Sequence, residues 1–188
     1  MSGASELANP VAAKSSDNPV LAVLQRAMAA INRIIMAASA IALLLAGCVL
    51  IESVLVRYLF RATTDWQDEM TVFLLVGATF LSAAHVQSLR GHIGIEALAG
   101  LLPARIDHAR RLLVDAISLL FCSFFAWKSW TLTYEAFVDG STTASTWAPP
   151  LSIPYSLMAL GMSLLAIQIG LQLIAGLLAG PEKVRAIA

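Results

Sequence analysis

Four long apolar runs are the strongest constraint on what this chain can fold into. They cover residues 34–51, 70–89, 112–138 and 151–180, and only the third contains charged side chains. About 20 apolar residues suffice for a helix to cross the hydrocarbon core of a membrane. Each run is therefore predicted to form a transmembrane helix. The last run would be about 45 Å long at 1.5 Å per residue, so it must tilt or protrude.

The composition supports the same class of protein. Of 188 residues, 59% are hydrophobic and 13% are charged, whereas soluble domains carry about 25% charged residues. The mean hydropathy is +0.78. We therefore predict an all-α integral membrane protein. The formal net charge of +0 gives no basic signature for nucleic acid. Cys48 and Cys122 lie inside apolar runs, which favours membrane thiols over a disulfide framework.

The distribution of Lys and Arg predicts the direction of the helices. Nine of these residues lie in the termini and the second loop, and two, Arg57 and Arg61, lie in the first loop. The positive-inside rule then places both termini in the cytoplasm.

The predicted organisation is a four-helix transmembrane domain, residues 25–182, between two tails. Residues 1–24 are rich in small, polar and helix-breaking residues, which predicts a disordered tail. Residues 183–188 form the C-terminal tail. The predicted spans cover residues 30–56, 66–89, 107–137 and 151–180.

A fifth, shorter helix is predicted between the second and third spans, at residues 92–102. Ile95, Leu98 and Leu102 share one helical face, and Pro103 follows them. This pattern favours an amphipathic helix on the inner membrane surface, although a plain helical connector would also fit.

Three carboxylates, Asp65, Asp68 and Glu69, stand at the outer start of the second span. Negative charge in a first helical turn complements the macrodipole, and Thr64 and Gln67 have the spacing of a capping box. These residues therefore predict a capped helix that enters the membrane from outside. A contact surface for a partner is the competing interpretation.

The sequence predicts no catalytic, substrate-binding or metal site, and we expect that the chain is not an enzyme. Haem in a four-helix membrane bundle needs axial histidines within the spans. Of His85, His92 and His108, only His85 comes close. The sequence contains neither metal-ligand spacing of the HxxxH or CxxC type nor a GxSxG nucleophile motif.

The charges near the spans suggest two ion pairs. Arg111 and Asp115 are four residues apart on the third span and can pair near the inner surface. Glu52 and Lys128 lie at similar depths in the first and third spans, which predicts an interhelical pair near the outer surface. Lys128 could instead extend its ammonium group to the outer interface.

The last span has two distinct faces. One is a row of small residues that permits close helix packing, namely Ala159, Ser163, Ala166 and Gly170. The other carries Gln168 and Gln172, whose amides should meet protein because lipid cannot satisfy them. A partner beyond the four helices or a polar internal cavity would serve equally well.

Taken together, the four spans and the segment "FLLVGATFLSAAHVQSLRGHIGIEALAGLLP" resemble the small membrane subunit of tripartite ATP-independent periplasmic (TRAP) transporters, the DctQ family. The topology matches over about residues 25–180, and the motif over about 40 of these. The matching features are Glu69, "TFLSAA" at Thr79 to Ala84, Arg90, His92, Ile93, Glu96, Leu102 and Pro103. Two departures are Gly77, where the family often has a large aromatic, and Glu96, where Asp is commoner.

The resemblance implies a division of labour in the bacterial inner membrane. A periplasmic DctP-like protein captures a small organic anion, often a carboxylate. A large DctM-like subunit carries the substrate and sodium sites and performs sodium-coupled symport. The small subunit is then a scaffold in the bilayer, with no cofactor of its own.

The resemblance also suggests roles for single residues. Asp65 and Asp68, with Arg57 and Arg61 nearby, would help to dock the binding protein, since charged rims steer encounters. Glu69 would be mainly structural. Arg90, His92 and Glu96 would fix the inner loop against the membrane or the large subunit, or would form a local hydrogen-bond cluster.

Two other functional classes remain open at this point. One is a self-sufficient homodimeric exporter with Glu52 as its proton site, which requires Glu52 at mid-membrane depth. The other is a membrane anchor or redox subunit, which requires a haem.

Overall fold

The computed structural model describes residues 19–61, 63–89 and 104–178. These residues form four α-helices: α1 (Pro19–Phe60), α2 (Asp65–Ser88), α3 (Ala104–Val138) and α4 (Ser152–Leu178). All four are long and apolar enough to cross a membrane. The predicted all-α fold with four spans is therefore confirmed for the described residues. The predicted amphipathic helix and C-terminal tail, and residues 1–18 of the predicted N-terminal tail, lie outside them.

The first helix starts earlier than its predicted span. It has 42 residues and begins at Pro19, so residues 19–24, predicted as part of the tail, are helical. Proline suits the first position of a helix because its fixed φ is compatible and its missing N–H is not needed there. Arg26 and Arg33 interrupt the hydropathy of this stretch but do not interrupt the helix.

The four helices contact one another in the order α1–α2–α4–α3, with a smaller contact between α1 and α4. Helices α2 and α4 thus form the middle of the bundle. Helices α1 and α3 are its two outer edges, and each presents a long surface that the other described residues leave exposed.

The two edge helices bury one narrow row of residues each. The α1 row consists of Leu21, Met28, Asn32, Ser39, Ala46 and Ser53, and the α3 row of Asp115, Cys122, Ala126, Ser129 and Ala136. These positions fit alternating steps of three and four residues, the spacing with which coiled-coil helices meet. Most of these side chains are small, so the neighbouring helix approaches closely.

The middle helices meet at two glycines. A Cβ at Gly161 of α4 would overlap the backbone carbonyl of Phe80 in α2, and a Cβ at Gly77 would lie 3.2 Å from Leu157 Cδ1. Gly161 and Gly77 are both buried. The space beside Gly77 is therefore occupied by Leu157. A larger side chain at Gly161 would force α2 and α4 apart.

The connection between α3 and α4 is tied down by backbone hydrogen bonds. Gly140 has φ +61°, and the N–H of Ser141 donates to Ala136 O at 3.1 Å, which is the pattern of a Schellman C-cap. Beyond it, Thr143 N–H donates to Pro149 O at 3.1 Å, and Leu151 N–H to Ser141 O at 3.0 Å. The loop is thus a compact, hairpin-like segment at the start of α4.

Candidate functional site

A cluster of polar side chains joins the end of α1 to the start of α2. It consists of Glu52, Ser53, Arg57, Thr64, Gln67 and Asp68, and we call it the hairpin cluster. Arg57 Nη2 lies 2.9 Å from Asp68 Oδ2, and Arg57 Nε donates to Thr64 Oγ1 at 3.2 Å. Ser53 Oγ donates to Asp68 Oδ1 at 3.3 Å. Asp68 therefore holds two residues of α1 and fixes the register of the helix pair.

The predicted capping box does not form. Thr64 is the N-cap residue of α2, but its side chain makes no cap hydrogen bond, because Thr64 Oγ1 accepts from Arg57. Gln67 Nε2 donates instead to Glu52 Oε2 at 3.2 Å. Partners on α1 have thus displaced the local capping pattern. Asp65 and Asp68 still lie in the first turn of α2, where they complement the macrodipole.

Asp65 connects this end of the bundle to the α3–α4 loop. Thr146 Oγ1 donates to Asp65 Oδ2 at 2.7 Å. Asp65 is exposed, as is Arg61, whose φ is +52°. The side chains of Arg57 and Asp68 are 62% and 53% exposed. The end of the molecule formed by the α1–α2 turn therefore presents both signs of charge to its surroundings.

Two buried acceptor atoms near the cluster lack hydrogen-bond partners among the described residues. They are Gln67 Oε1 and Glu69 Oε2. Gln67 is only 3% exposed, so water reaches it poorly. Buried acceptors are normally satisfied, and a donor from elsewhere could occupy these positions.

The predicted pair of Glu52 and Lys128 is not formed. Glu52 accepts from Gln67, and Lys128 Nζ lies 5.1 Å from the centroid of the Trp127 ring. The reason is the helix order, which puts α1 and α3 at opposite edges of the bundle. Glu52 is also at the polar end of the α1–α2 hairpin, away from the mid-membrane position that the exporter hypothesis requires.

Arg111, a member of the other predicted pair, contacts a carboxylate one turn earlier on α3. Arg111 Nε lies 2.8 Å from Asp107 Oδ2, one turn before it, and Arg110 Nη2 lies 2.8 Å from Asp107 Oδ1. Asp115, the predicted partner of Arg111, is buried and takes part in an interaction within the protein. Asp107 thus forms ion pairs with both arginines at the start of α3.

Both glutamines of α4 meet other helices of the same chain. Asn32 Nδ2 of α1 donates to Gln168 Oε1 at 3.0 Å. Gln87 Nε2 of α2 donates to Gln172 Oε1 at 3.0 Å, and Gln172 Nε2 donates back to Gln87 O at 3.0 Å. These amides need no further protein to avoid lipid, although Asn32 Oδ1 has no partner among the described residues.

The small-residue face of α4 lies against α3. Trp130 Nε1 donates to Ser163 Oγ at 3.1 Å, and Ser163 Oγ donates to Ala159 O at 2.7 Å. A Cβ at Gly170 would lie 3.8 Å from Leu119 Cδ1. This face is therefore used for packing within the chain.

An apolar groove of about 590 Å³ lies between α2, the α3–α4 loop and α4. Its lining consists of Met70, Phe73, Leu74, Trp147, Ala148, Pro149, Pro150, Ile153 and Leu157. These side chains offer no charge to a carboxylate. No three His, Cys, Asp or Glu side chains in the described ranges could together hold a metal ion. Six predicted motif residues lie outside the described residues, namely Arg90, His92, Ile93, Glu96, Leu102 and Pro103.

Sequence reasoning missed several residues that tie the bundle together. Asn32, Ser53, Gln87 and Thr146 each form an interhelical or loop contact. One signal was available for two of them, since Asn32, Ser39, Ala46 and Ser53 repeat every seven residues on α1. Such a repeat marks a helix contact. Gln87 and Thr146 have no comparable pattern around them.

Comparisons with known proteins agree on one family. Residues 45–179 match the family model described as the DctQ component of tripartite ATP-independent periplasmic transporters. The C4-dicarboxylate TRAP transporter small permease protein DctQ of Vibrio cholerae is 28% identical over 153 residues. That match covers 66% of this chain and 64% of the relative, so the chain spans just under two thirds of the relative's length. No solved structure matches the chain.

Proposed function

The chain belongs to the DctQ component family of TRAP transporters, and we propose that it is a scaffold for the transport subunit. On this proposal it holds the large DctM-like subunit in the membrane during sodium-coupled uptake of a small organic anion. The observation that carries the proposal is the use of the polar side chains. Asn32 with Gln168, Gln87 with Gln172, and Arg57 with Asp68 all join one helix to another. They therefore stabilise a frame, as a scaffold requires.

The name of the relative, which refers to C4-dicarboxylates, supports a proposal for the substrate class. We infer that the transported anion is a small carboxylate. Its binding sites, and those for sodium, would belong to a DctP-like periplasmic protein and to the large subunit. The apolar lining of the groove beside α2 is consistent with a chain that does not itself bind the anion.

The charged end of the bundle is the surface that we assign to docking of the periplasmic protein. The excess of Lys and Arg in the termini and the second loop supports an orientation with both termini in the cytoplasm. The α1–α2 turn would then face the periplasm. Asp65 and Arg61 are exposed there, and such charges steer the encounter of two proteins. Asp68 contributes less, because Arg57 already pairs with it.

A pull-down tests the scaffold role. The tagged full-length chain is purified from its native membranes in mild detergent, and the accompanying proteins are identified by mass spectrometry. We expect a larger polytopic protein in equal amount. Membranes that contain the untagged chain serve as the control. Recovery of the chain alone, as a stable oligomer, would contradict the scaffold role.

An uptake assay tests the transport role. Cells that lack this chain should lose sodium-dependent uptake of labelled C4-dicarboxylates, and expression of the chain should restore it. Uptake that persists without the chain, or that is independent of sodium, would contradict the proposal.

A further inference from the structure

The apolar groove beside α2 lies in the part of the chain that a membrane surrounds. Its walls come from the first three turns of α2 and the first two turns of α4, and both helices are long and apolar enough to cross a membrane. The groove extends from the α3–α4 loop to Leu157, which lies beside Gly77. That distance is about seven residues, or roughly 10 Å, along either helix. A water-soluble protein does not reach such a surface, so the occupant must come from the membrane.

The size of the groove favours a lipid chain over a helix as that occupant. The volume is about 590 Å³, and at about 30 Å³ for a group of the size of water or methylene it has room for roughly 20 such groups. An α-helix is about 10 Å wide with its side chains, so a 10 Å length of it occupies roughly 800 Å³. A helix therefore does not fit between the walls, whereas an acyl chain does.

Two tryptophans stand at the outer mouth of the groove. Trp66 lies two turns before Phe73 on the same face of α2, and Trp147 is part of the lining. Their side chains are 46% and 45% exposed. Neither indole N–H has a hydrogen-bond acceptor among the described residues, whereas the indole N–H of Trp130 donates to Ser163. Two donors are therefore available to a ligand at the level of the membrane surface, where tryptophan is typical.

The start of α4 adds positive potential beside these donors. Its first turn contains no acidic residue, whereas the first turn of α2 contains Asp65 and Asp68. The positive end of the α4 dipole is therefore not compensated by carboxylates of its own turn, and it favours an anion such as a phosphate. Ile153 belongs to this turn and lines the groove. The place that favours an anion and the apolar lining are thus next to each other.

One carboxylate beside the loop limits the net charge of the headgroup. Asp65 accepts a hydrogen bond from Thr146, the residue before Trp147. It would repel a headgroup that carries only a phosphate, whereas a zwitterionic headgroup presents an ammonium group to it. The mouth of the groove therefore fits a ligand that combines a phosphate, an ammonium group and an apolar chain.

We propose that this groove is a binding site for one zwitterionic phospholipid. An acyl chain fills the apolar lining, the phosphate accepts from the indole N–H groups of Trp66 and Trp147, and the ammonium group faces Asp65. This inference goes beyond the scaffold function and does not depend on it, because every group that it uses belongs to this chain.

Photolabelling of the full-length chain tests the proposal. The tagged protein is purified in mild detergent and mixed with a phosphatidylethanolamine or a diacylglycerol that carries the same diazirine-labelled acyl chain. After illumination, mass spectrometry of peptides locates the adducts. We expect phosphatidylethanolamine to label residues 66–77 and 147–157 at about tenfold lower concentration than diacylglycerol, which lacks the phosphate. Equal concentrations for the two probes, or adducts spread evenly over the exposed face of α3, would overturn the proposal.

Two variants test the groove and its donors separately. Ile153→Trp fills the groove and should raise the concentration of phosphatidylethanolamine for half-maximal labelling by about tenfold. Ile167→Trp is the matched control and should leave it unchanged, because Ile167 lies about four turns further along α4 and outside the lining. These two isoleucines are 53% exposed at Ile167 and 45% at Ile153. Trp66→Phe combined with Trp147→Phe keeps both rings and removes both donors, so phosphatidylethanolamine should then label no better than diacylglycerol.

Unchanged labelling of Ile153→Trp, or of the double tryptophan variant, would contradict the proposal. If Ile153→Trp instead loses a co-purifying membrane protein while its labelling stays the same, the groove holds a protein and not a lipid.

Discussion

Asn32 shows how one polar side chain can determine the contact between two membrane helices. It is 1% exposed and donates to Gln168 across the bundle. An amide among apolar side chains is stabilised only where it finds a partner, so each rotation of α1 away from α4 loses this bond. The bond therefore favours one rotational setting of α1.

We expect Asn32→Leu to destabilise the bundle by about 1 kcal/mol, because Gln168 Oε1 then loses its donor. The free energy of unfolding is measured by titration with a denaturing detergent. The variant Gln168→Leu and the double variant complete a double-mutant cycle. The double variant should be less destabilised than the sum of the two single variants, and strict additivity would show that the two amides are not coupled.

The partners of such residues could be predicted only in part. The two glutamines of α4 were expected to meet protein because amides are unfavourable in lipid, and they do. The pairing of Glu52 with Lys128 was inferred from depth alone. Depth gives the height of a side chain but not the side of the bundle on which it lies, and α1 and α3 turn out to be at opposite edges.

A glycine at a helix contact gives a second prediction at this scale. Gly161→Ala should destabilise the protein by about 1–3 kcal/mol, because its Cβ would overlap the Phe80 carbonyl and overpack the α2–α4 contact. The matched control is Gly47→Ala, since a Cβ at Gly47 meets nothing within 4 Å. Alanine is the better helix former, so the control should be neutral or stabilising. Thermal unfolding in detergent distinguishes the two variants, and equal midpoints would contradict the close approach.

At the level of the elements, long apolar runs suffice to predict four helices, but not where every helix begins. Arg26 and Arg33 lower the hydropathy before residue 34 while remaining good helix formers. Hydropathy reports where a membrane covers a helix, and α1 continues beyond that to Pro19. The prediction of a capping box is wrong for a related reason, namely that it considers one helix alone. Thr64 and Gln67 have the right spacing along α2, but Arg57 and Glu52 reach them from α1.

The end of α3 allows a prediction about an element boundary. Gly140 has φ +61°, a conformation that costs a residue with a Cβ about 1–2 kcal/mol. Nothing lies within 4 Å of the position that a Cβ would take there, so the effect of Gly140→Ala is confined to the backbone. We expect a lower thermal midpoint than for Gly47→Ala. If Gly140→Ala is as stable as that control, the helix does not end in a left-handed turn.

On the scale of the whole molecule, the helix order α1–α2–α4–α3 is compatible with the proposed scaffold role, in which the chain would have two neighbours. The middle helices use their polar groups within the chain, whereas the edge helices keep long apolar faces. One end of the bundle carries mixed charges at the α1–α2 turn. A membrane partner along an edge and a water-soluble partner at that end would therefore not compete for the same residues.

Two substitutions at the contact between Asp65 and Thr146 distinguish a docking role of Asp65 from a structural one. Each substitution changes a different property of that contact. Asp65→Asn removes the charge but keeps an oxygen that can accept from Thr146, whereas Thr146→Ala removes the hydrogen bond and keeps the charge. If the carboxylate steers the binding protein, Asp65→Asn should lower the uptake rate at limiting binding protein by roughly twofold or more, and Thr146→Ala should not. The difference should shrink at high ionic strength, since salt screens exposed charges. Uptake of labelled C4-dicarboxylate into proteoliposomes, at equal levels of assembled transporter, measures both effects. Loss of uptake in Thr146→Ala alone would show that Asp65 anchors the α3–α4 loop and does not dock a partner.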